Sequence, residues 1–515
     1  MGVKTVSTKE LAQHSTKENA WLVIDGNVYD VSKFAMLHPG GEEILYEYAG
    51  QDVTETFYGL HRHEVLAKYA PKLLVGRLEG TGEDELSILP FAENTGFQGF
   101  DSPYWTESHV DFRRNVRQWL HDNVRDAAEE GELSGKAPTQ ELFQLMGDVG
   151  LLAGRMGPGA AMKYAPKELF GLPKEKFDYF YEMILHEEVG RLACPGFVDG
   201  IGSGMAIGLP PVLQFGPDWM KDKVAKEVLS GEKRICLAIT EAFAGSDVAH
   251  VKTRAELSAD GTHYIVNGTK KWITNGHDSH YFTTLVRTGG EGHGGLSFML
   301  IERGEGVETK KIKTSYSPSA GTAYITFENV KVPAENLIGG ENMGFLLSMY
   351  NFVHERWMIC AYINAGSRGM IDECLRWTQQ RKAFGKPLLS QPVVRKQIGE
   401  MISRVEAVSA WTENITYRMC NMPYHEMSSK LAGQVCLLKY ECTRVAHDVA
   451  DMAVQIFGGR GITQSGMGKY VERFMRTYKF ASILGGSEDV LIDAGLRLSM
   501  ATAAKEFGNL ARARL

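Results

Sequence analysis

The chain has 515 residues, more than a single hydrophobic core serves, so two or more domains are expected. Apolar residues make up 43% and charged residues 23%, the balance of a globular protein. A formal net charge of -7, from 63 acidic and 56 basic side chains, gives no electrostatic footprint for nucleic acid, and no stretch approaches the roughly 20 apolar residues that span a bilayer.

Residues 1–78 read as a compact α+β unit. Two strand-like runs, Ala20 to Ile24 and Asn27 to Val31, flank Asp25-Gly26, a strong turn signal. Short helical stretches follow, and an apolar run from Leu73 to Leu78 closes the unit. Residues 79–103, rich in Gly and acidic residues and carrying Pro90, read as a linker. Residues 104–235 are helical, with apolar residues at three- and four-residue spacing in Val110 to Val124 and Phe177 to Leu192. Residues 236–341 change to short β runs, among them Tyr264 to Val266, Ser297 to Ile301 and Tyr324 to Phe327. Residues 342–515 return to long helical patterns, broken at Gly385-Lys386-Pro387, Asn421-Met422-Pro423, Gly458-Gly459 and Gly485-Gly486.

The seven cysteines, Cys194, Cys236, Cys360, Cys374, Cys420, Cys436 and Cys442, include no C-x-x-C pair. They read as reduced, mostly buried thiols of an intracellular protein, with neither a disulfide framework nor a zinc site. Met1 to Glu10 shows no secretory or mitochondrial presequence. The final Ala513-Arg514-Leu515 is a small-basic-leucine tripeptide of the S-K-L type, so a peroxisomal location is expected, with the cytosol or mitochondrion as alternatives.

His38-Pro39-Gly40-Gly41 falls between the strands and a helix, and His61 lies 23 residues on, in Phe57-Tyr58-Gly59-Leu60-His61. A haem iron held by two histidines needs imidazoles projecting from opposite sides of a slot, and glycines let the backbone turn close to a porphyrin edge. Together with Trp21, Ala49-Gly50-Gln51-Asp52 and Val75-Gly76-Arg77-Leu78, this pattern resembles the cytochrome b5 family over residues from about 5 to 78. The resemblance implies haem b with His38 and His61 as axial ligands. His61 is preferred because haem-flavin lactate dehydrogenases of that family share the Phe-x-x-Leu-His arrangement; His63 is the rival.

Four later blocks form a second constellation: Cys236 to Asp247, Gly268 to Gly276, Arg381 to Gly385, and Gln455 to Gly461. Strand ends carrying Leu237, Ile239, Thr240, Trp272 and Thr274 can supply the apolar wall and backbone groups that an isoalloxazine ring needs, and Trp272 offers a large ring to pack beside it. Ser246 follows a glycine, where its hydroxyl can bond a pyrophosphate or a substrate. Arg381, near Phe384, suits a phosphate. In this order and at these separations the blocks resemble the acyl-CoA dehydrogenase family over about 104 to 505. The implied fold is an α-helical N-terminal domain, a β-barrel-like middle domain and a C-terminal four-helix bundle. The implied cofactor is FAD. In the family the equivalents of Arg381 and of the loop with Gln455, Gly458 and Gly459 reach the FAD of a neighbouring subunit, which implies a homodimer or homotetramer. Gln391 stands one place before the position where the family often has Gln, now Pro392.

The family's base is a Glu that removes the α-proton of an acyl-CoA while the β-hydrogen passes as hydride to the flavin; an apolar site suits such a carboxylate by raising its pKa. Most members place it in a Tyr-Glu-Gly-Thr-Ser type segment. Here that segment reads Ile483-Leu484-Gly485-Gly486-Ser487-Glu488-Asp489, with Gly485 at the usual position. Isovaleryl- and long-chain enzymes instead place the Glu on a preceding helix before an Arg, and this chain has His354-Glu355-Arg356 there. Glu355 is therefore the expected catalytic base and Arg356 a substrate-side arginine, beside Ser246. Ser487 and Asp489 join the cofactor-binding set. Glu488 is the alternative base, although it falls at a helix start, where an acidic residue is favoured by the dipole alone. The fusion suggests electrons passing from FAD to the attached haem, with a possible external acceptor beyond it. A flavin monooxygenase or oxidase that draws electrons through the haem domain is the alternative.

Overall fold

The computed structural model describes residues 4–79 and 91–513. It divides into two compact units. One comprises Met1–Ala92, Met370–Glu400 and Met452–Arg473; the other comprises Glu93–Gly369, Met401–Asp451 and Phe474–Leu515. Of the expected address tripeptide, Arg514 and Leu515 lie outside the described residues.

In the first unit, β1 (Thr5–Val6), β2 (Ser15–Thr16), β3 (Asn19–Ile24), β4 (Asn27–Asp30) and β5 (Leu74–Leu78) form one sheet in the order β1-β5-β4-β3-β2. Asp25 and Gly26 both have positive φ, 50° and 69°, the conformation that matches a two-residue turn to strand twist. Alternation along β3 serves two cores. Ala20, Leu22 and Ile24 pack with Tyr29, Val31, Val53 and Tyr58, while Trp21 and Val23 pack with Val6, Leu11 and Val28. Helices α1 (Thr54–Leu60) and α2 (His63–Leu73) cross between β4 and β5.

In the second unit, α3 (Glu107–Asn123) packs on α4 (Tyr179–Gly190). Asp178 caps α4 by accepting from the Phe180 and Tyr181 N–H groups at 2.8 and 3.2 Å. Every residue of α4 is buried, so its acids need partners. Arg113 meets Glu187 at 2.8 Å and Glu188 at 2.7 Å. The C-terminal part of the expected linker is anchored here. Burial opposes the charge of Glu93, but Arg113, Arg191 and Arg117 outweigh it and hold the carboxyl down to about 2. These pairs join residues far apart in the chain, which local composition does not reveal.

The middle of this unit is an eight-stranded sheet of β6 (Ile235–Ala238), β7 (Arg254–Leu257), β8 (His263–Ile273), β9 (Tyr281–Arg287), β10 (Leu296–Glu302), β11 (Val307–Lys311), β12 (Ala323–Pro333) and β13 (Leu337–Ile338). Its order is β11-β12-β8-β7-β9-β10-β13, with β6 parallel to β9. Inward-facing Val266, Phe282, Ile301, Ile325 and Phe327 make its core. The long helices are α5 (Gly344–Gln380), α6 (Pro392–Cys420), α7 (Ala432–Phe457), α8 (Lys469–Ile483) and α9 (Glu488–Ala513). Buried polar contacts fix α5 to α6: the Trp357 indole donates to Thr416 Oγ1 at 2.8 Å, and the Asn364 amide to Thr412 Oγ1 at 3.0 Å. All seven cysteines are free, six buried and Cys420 exposed. No helix among the described residues is long and apolar enough to cross a membrane.

Candidate active site and two-histidine slot

In the first unit the His38 and His61 rings lie with centroids 5.8 Å apart and planes inclined by 43°. Nδ1 of His38 lies 3.0 Å from the Gly41 carbonyl, and Nδ1 of His61 lies 3.2 Å from that of Phe57. An Nδ1–H donated to a backbone carbonyl leaves Nε2 as the free ligand nitrogen, as at most metal-bound histidines. A Cβ on Gly40 would stand 2.8 Å from His38 Cε1, so a side chain there would make the His38 ring shift. Met36, Leu37 and Leu60, beside the two histidines in sequence, are exposed apolar side chains, the kind of surface that an apolar macrocycle would cover. These residues suit a haem. The rival His63 begins α2; its side chain lies outside the described residues.

In the second unit, Glu355 lies on α5 at 2% exposure. Its Oε2 has no hydrogen-bond partner among the described residues. Burial pushes its pKa up to about 7, against the pull of Arg356, Lys439 and His354. That is the range a general base needs near neutral pH. The turn opposite is Gly485-Gly486, with φ of 68° and 112°. Arg356 Nε donates to the Gly485 carbonyl at 2.8 Å, and Lys439 Nζ to the Gly486 carbonyl at 2.8 Å. Burial lowers the Lys439 pKa to about 8. The alternative base, Glu488, is already engaged: it accepts from Thr443 Oγ1 at 2.9 Å and lies 3.4 Å from Lys479 Nζ and 3.9 Å from an Arg444 nitrogen. Ser487 and Asp489 flank it at the start of α9.

Leu237, Ile239 and Thr240 lie at and just beyond the end of β6. A buried lysine pins this backbone. Lys270 Nζ donates to the Ile239 carbonyl, Glu241 Oε1 and the Leu285 carbonyl at 2.9, 2.9 and 2.7 Å. Trp272 follows at an irregularity in β8, with φ of 65° and 51% exposure. Thr274 is buried and Ser246 lies exposed in its loop. In the first unit, Phe384 and Gly385 form a two-residue turn with φ of 54° and 74°, leaving the Phe384 ring 94% exposed. A left-handed backbone at an aromatic residue is costly and clusters at ligand clamps, and Trp272 and Phe384, each within its own unit, share that feature. Arg381, Gln455, Gly458 and Gly459 belong to the same unit as Phe384 and are exposed. Pro392 is the first residue of α6, where a missing N–H costs nothing.

Four family models match in chain order: the cytochrome b5-like heme/steroid binding domain over residues 7–79, and the acyl-CoA dehydrogenase N-terminal, middle and C-terminal domains over 106–232, 236–330 and 342–498. Acyl-CoA dehydrogenase apdG of Emericella nidulans is 37% identical over 437 residues, covering 84% of this chain and 100% of that protein. The chain belongs to the acyl-CoA dehydrogenase family. Acyl-CoA dehydrogenase AFT10-1 of Alternaria alternata is 33% identical over 79% of this chain and 94% of its own length. The crystal structure of acyl-CoA dehydrogenase from Geobacillus kaustophilus superposes with a TM-score of 0.67 at 25% identity, over 77% of this chain and all of that one. The expected architecture, a cytochrome b5-like domain followed by the three dehydrogenase domains, is therefore that of the chain, and its fold is that of a FAD enzyme.

Sequence reasoning missed three parts of the site. Lys439 sits at a core position of α7 between Val435, Cys436 and Cys442, all buried, and a lysine in that apolar stripe was the available signal. Lys270 was hidden by its neighbour Lys271. Glu182, whose Oε1 lies 2.8 Å from His354 Nε2 and 3.2 Å from His186 Nε2, sits in a helix too uniformly buried to show a polar face.

Proposed function

We propose that the chain oxidises an acyl-CoA thioester to its α,β-unsaturated form with Glu355 as base, and that a haem on His38 and His61 takes the electrons onward. FAD, when bound, accepts the β-hydrogen as hydride. Glu355 takes the α-proton at Oε2, so the substrate loses one proton and one hydride and gains a Cα–Cβ double bond. Burial around Glu355 keeps water from competing for that proton. Arg356 and Lys439 hold the Gly485-Gly486 carbonyls away from the carboxylate and favour its charged form. The haem, when bound, would pass electrons singly to an external one-electron acceptor. The buried, unpartnered Glu355 oxygen carries this reading.

The exposed Phe384 and Gln455 support a second copy of the chain completing the cofactor site. Ala513-Arg514-Leu515 supports a peroxisomal address, tested by locating a fluorescent fusion with and without the tripeptide. The test of the reaction is an anaerobic spectrum taken while a panel of acyl-CoAs is added. Flavin bleaching followed by reduced-haem bands is expected. A flavin that responds only to a reductant and oxygen would replace the dehydrogenase with the monooxygenase or oxidase alternative.

A further inference from the structure

A glycine-rich, acidic segment at 79–103 suggests a small domain swinging on a tether. Side chains within the first unit argue otherwise. Arg62 follows His61 directly and stands at the N-cap position of α2. Its Nη1 and Nη2 donate to the two carboxylate oxygens of Glu373, on α5, at 2.7 and 2.5 Å. Nη1 also donates to the Met467 carbonyl at 2.8 Å. Nε and Nη2 reach Glu64 at 3.0 and 3.3 Å. The guanidinium carbon lies 4.3 Å from the centre of the Tyr470 ring. All five N–H donors of the fork are therefore used, a geometry that a lysine lacks. The Arg62 side chain is 11% exposed and that of Glu373 is 15% exposed. An exposed ion pair contributes little, whereas a desolvated two-pronged pair is hard to break one partner at a time. One turn further along α5, Arg376 lies within electrostatic reach of Tyr58 on α1.

We propose that Arg62 is a latch that docks the small domain on Glu373 of α5 and on the Met467–Tyr470 segment, holding the two-histidine slot against these residues of the dehydrogenase C-terminal domain. The latch and a slot histidine are consecutive residues, so loosening one moves the other. The docking itself follows from these contacts; its value for electron passage rests on the function proposed above.

The test uses the full-length protein loaded with its cofactors, as wild type, Arg62→Ala, Arg62→Lys and Glu373→Gln. Amide hydrogen exchange at residues 370–380 and the radius of gyration in solution report docking. Exchange is expected to quicken at least about tenfold in Arg62→Ala and Glu373→Gln, with a larger radius, and to a smaller degree in Arg62→Lys. Flavin reduction by acyl-CoA should hold its wild-type rate in all three, while the subsequent haem reduction slows at least about tenfold. Wild-type exchange and radius in both Arg62→Ala and Glu373→Gln would overturn the latch. A wild-type haem that stays oxidised would overturn electron passage instead, leaving exchange and scattering to judge the docking.

Discussion

A Cβ built on Gly485 would stand 3.4 Å from Glu355 Oε1 and 3.1 Å from Ile359 Cδ1. Position 485 thus lies in contact with the Glu355 carboxylate. Gly485 also has φ of 68°, which costs an L-residue roughly 1–2 kcal/mol. Gly485→Ala is expected to lose about that much stability and, with Ile359 giving way beside the new methyl and Glu355 left in contact with it, to slow flavin reduction only modestly. Thermal melts and rapid-mixing kinetics check both. An unchanged melting temperature with an unchanged rate would mean that the turn yields freely.

Glu355 links activity to stability. Burial raises its folded-state pKa to about 7 from an ordinary 4.5. The folded state therefore holds the proton more tightly, and this contribution is fully present below the unfolded value. It is lost as pH rises through the window from 4.5 to about 7. Glu355→Gln carries no charge at any pH. It should stabilise the protein at pH 8 by up to about 3 kcal/mol and change little at pH 4, while flavin reduction falls by at least about a hundredfold. An equal stability gain at both pH values would remove the ionisation argument.

Lys439 offers a separate handle on the same group. The charged neighbours acting on Glu355 are Arg356 and His354 from α5 and Lys439 from α7. Removing one cation raises the carboxyl pKa, so the acid limb of the rate profile in Lys439→Met should move to higher pH by about one unit. Lys439→Arg should return it. A uniformly lower rate with an unmoved limb would give Lys439 only its bond to the Gly486 carbonyl.

The architecture was legible because its signals are local. Asp25-Gly26 sets a hairpin, alternation along Ala20 to Ile24 fills two cores, and the flavin-side motifs sit at strand ends that a period change marks. The closeness of positions 355 and 485 was signalled too, since the two segments carry opposite departures from one pattern. What stayed hidden depends on partners far along the chain. Arg62 pairs with Glu373 over 311 residues, Glu93 collects three arginines, and Lys270 reaches three oxygens from separate strands and loops. A buried charge has no sequence period; only its assembled partners distinguish it from a solvated one.

The two-histidine slot allows a discrimination that the sequence left open. His38 and His61 lie near each other with both Nδ1 atoms turned to backbone carbonyls. His38→Ala and His61→Ala should each abolish the six-coordinate haem spectrum, while His63→Ala should retain it. Gly40→Ala is the more searching variant, because it leaves both ligands in place. Its Cβ would press on His38 Cε1, and a shift of the ring strains its Nδ1 bond to Gly41. Weaker haem retention on dilution, with an intact fold by circular dichroism, is therefore expected. Retention equal to wild type would mean that the bond to Gly41 does not orient the ligand, and loss of the spectrum in His63→Ala would transfer the second ligand to α2.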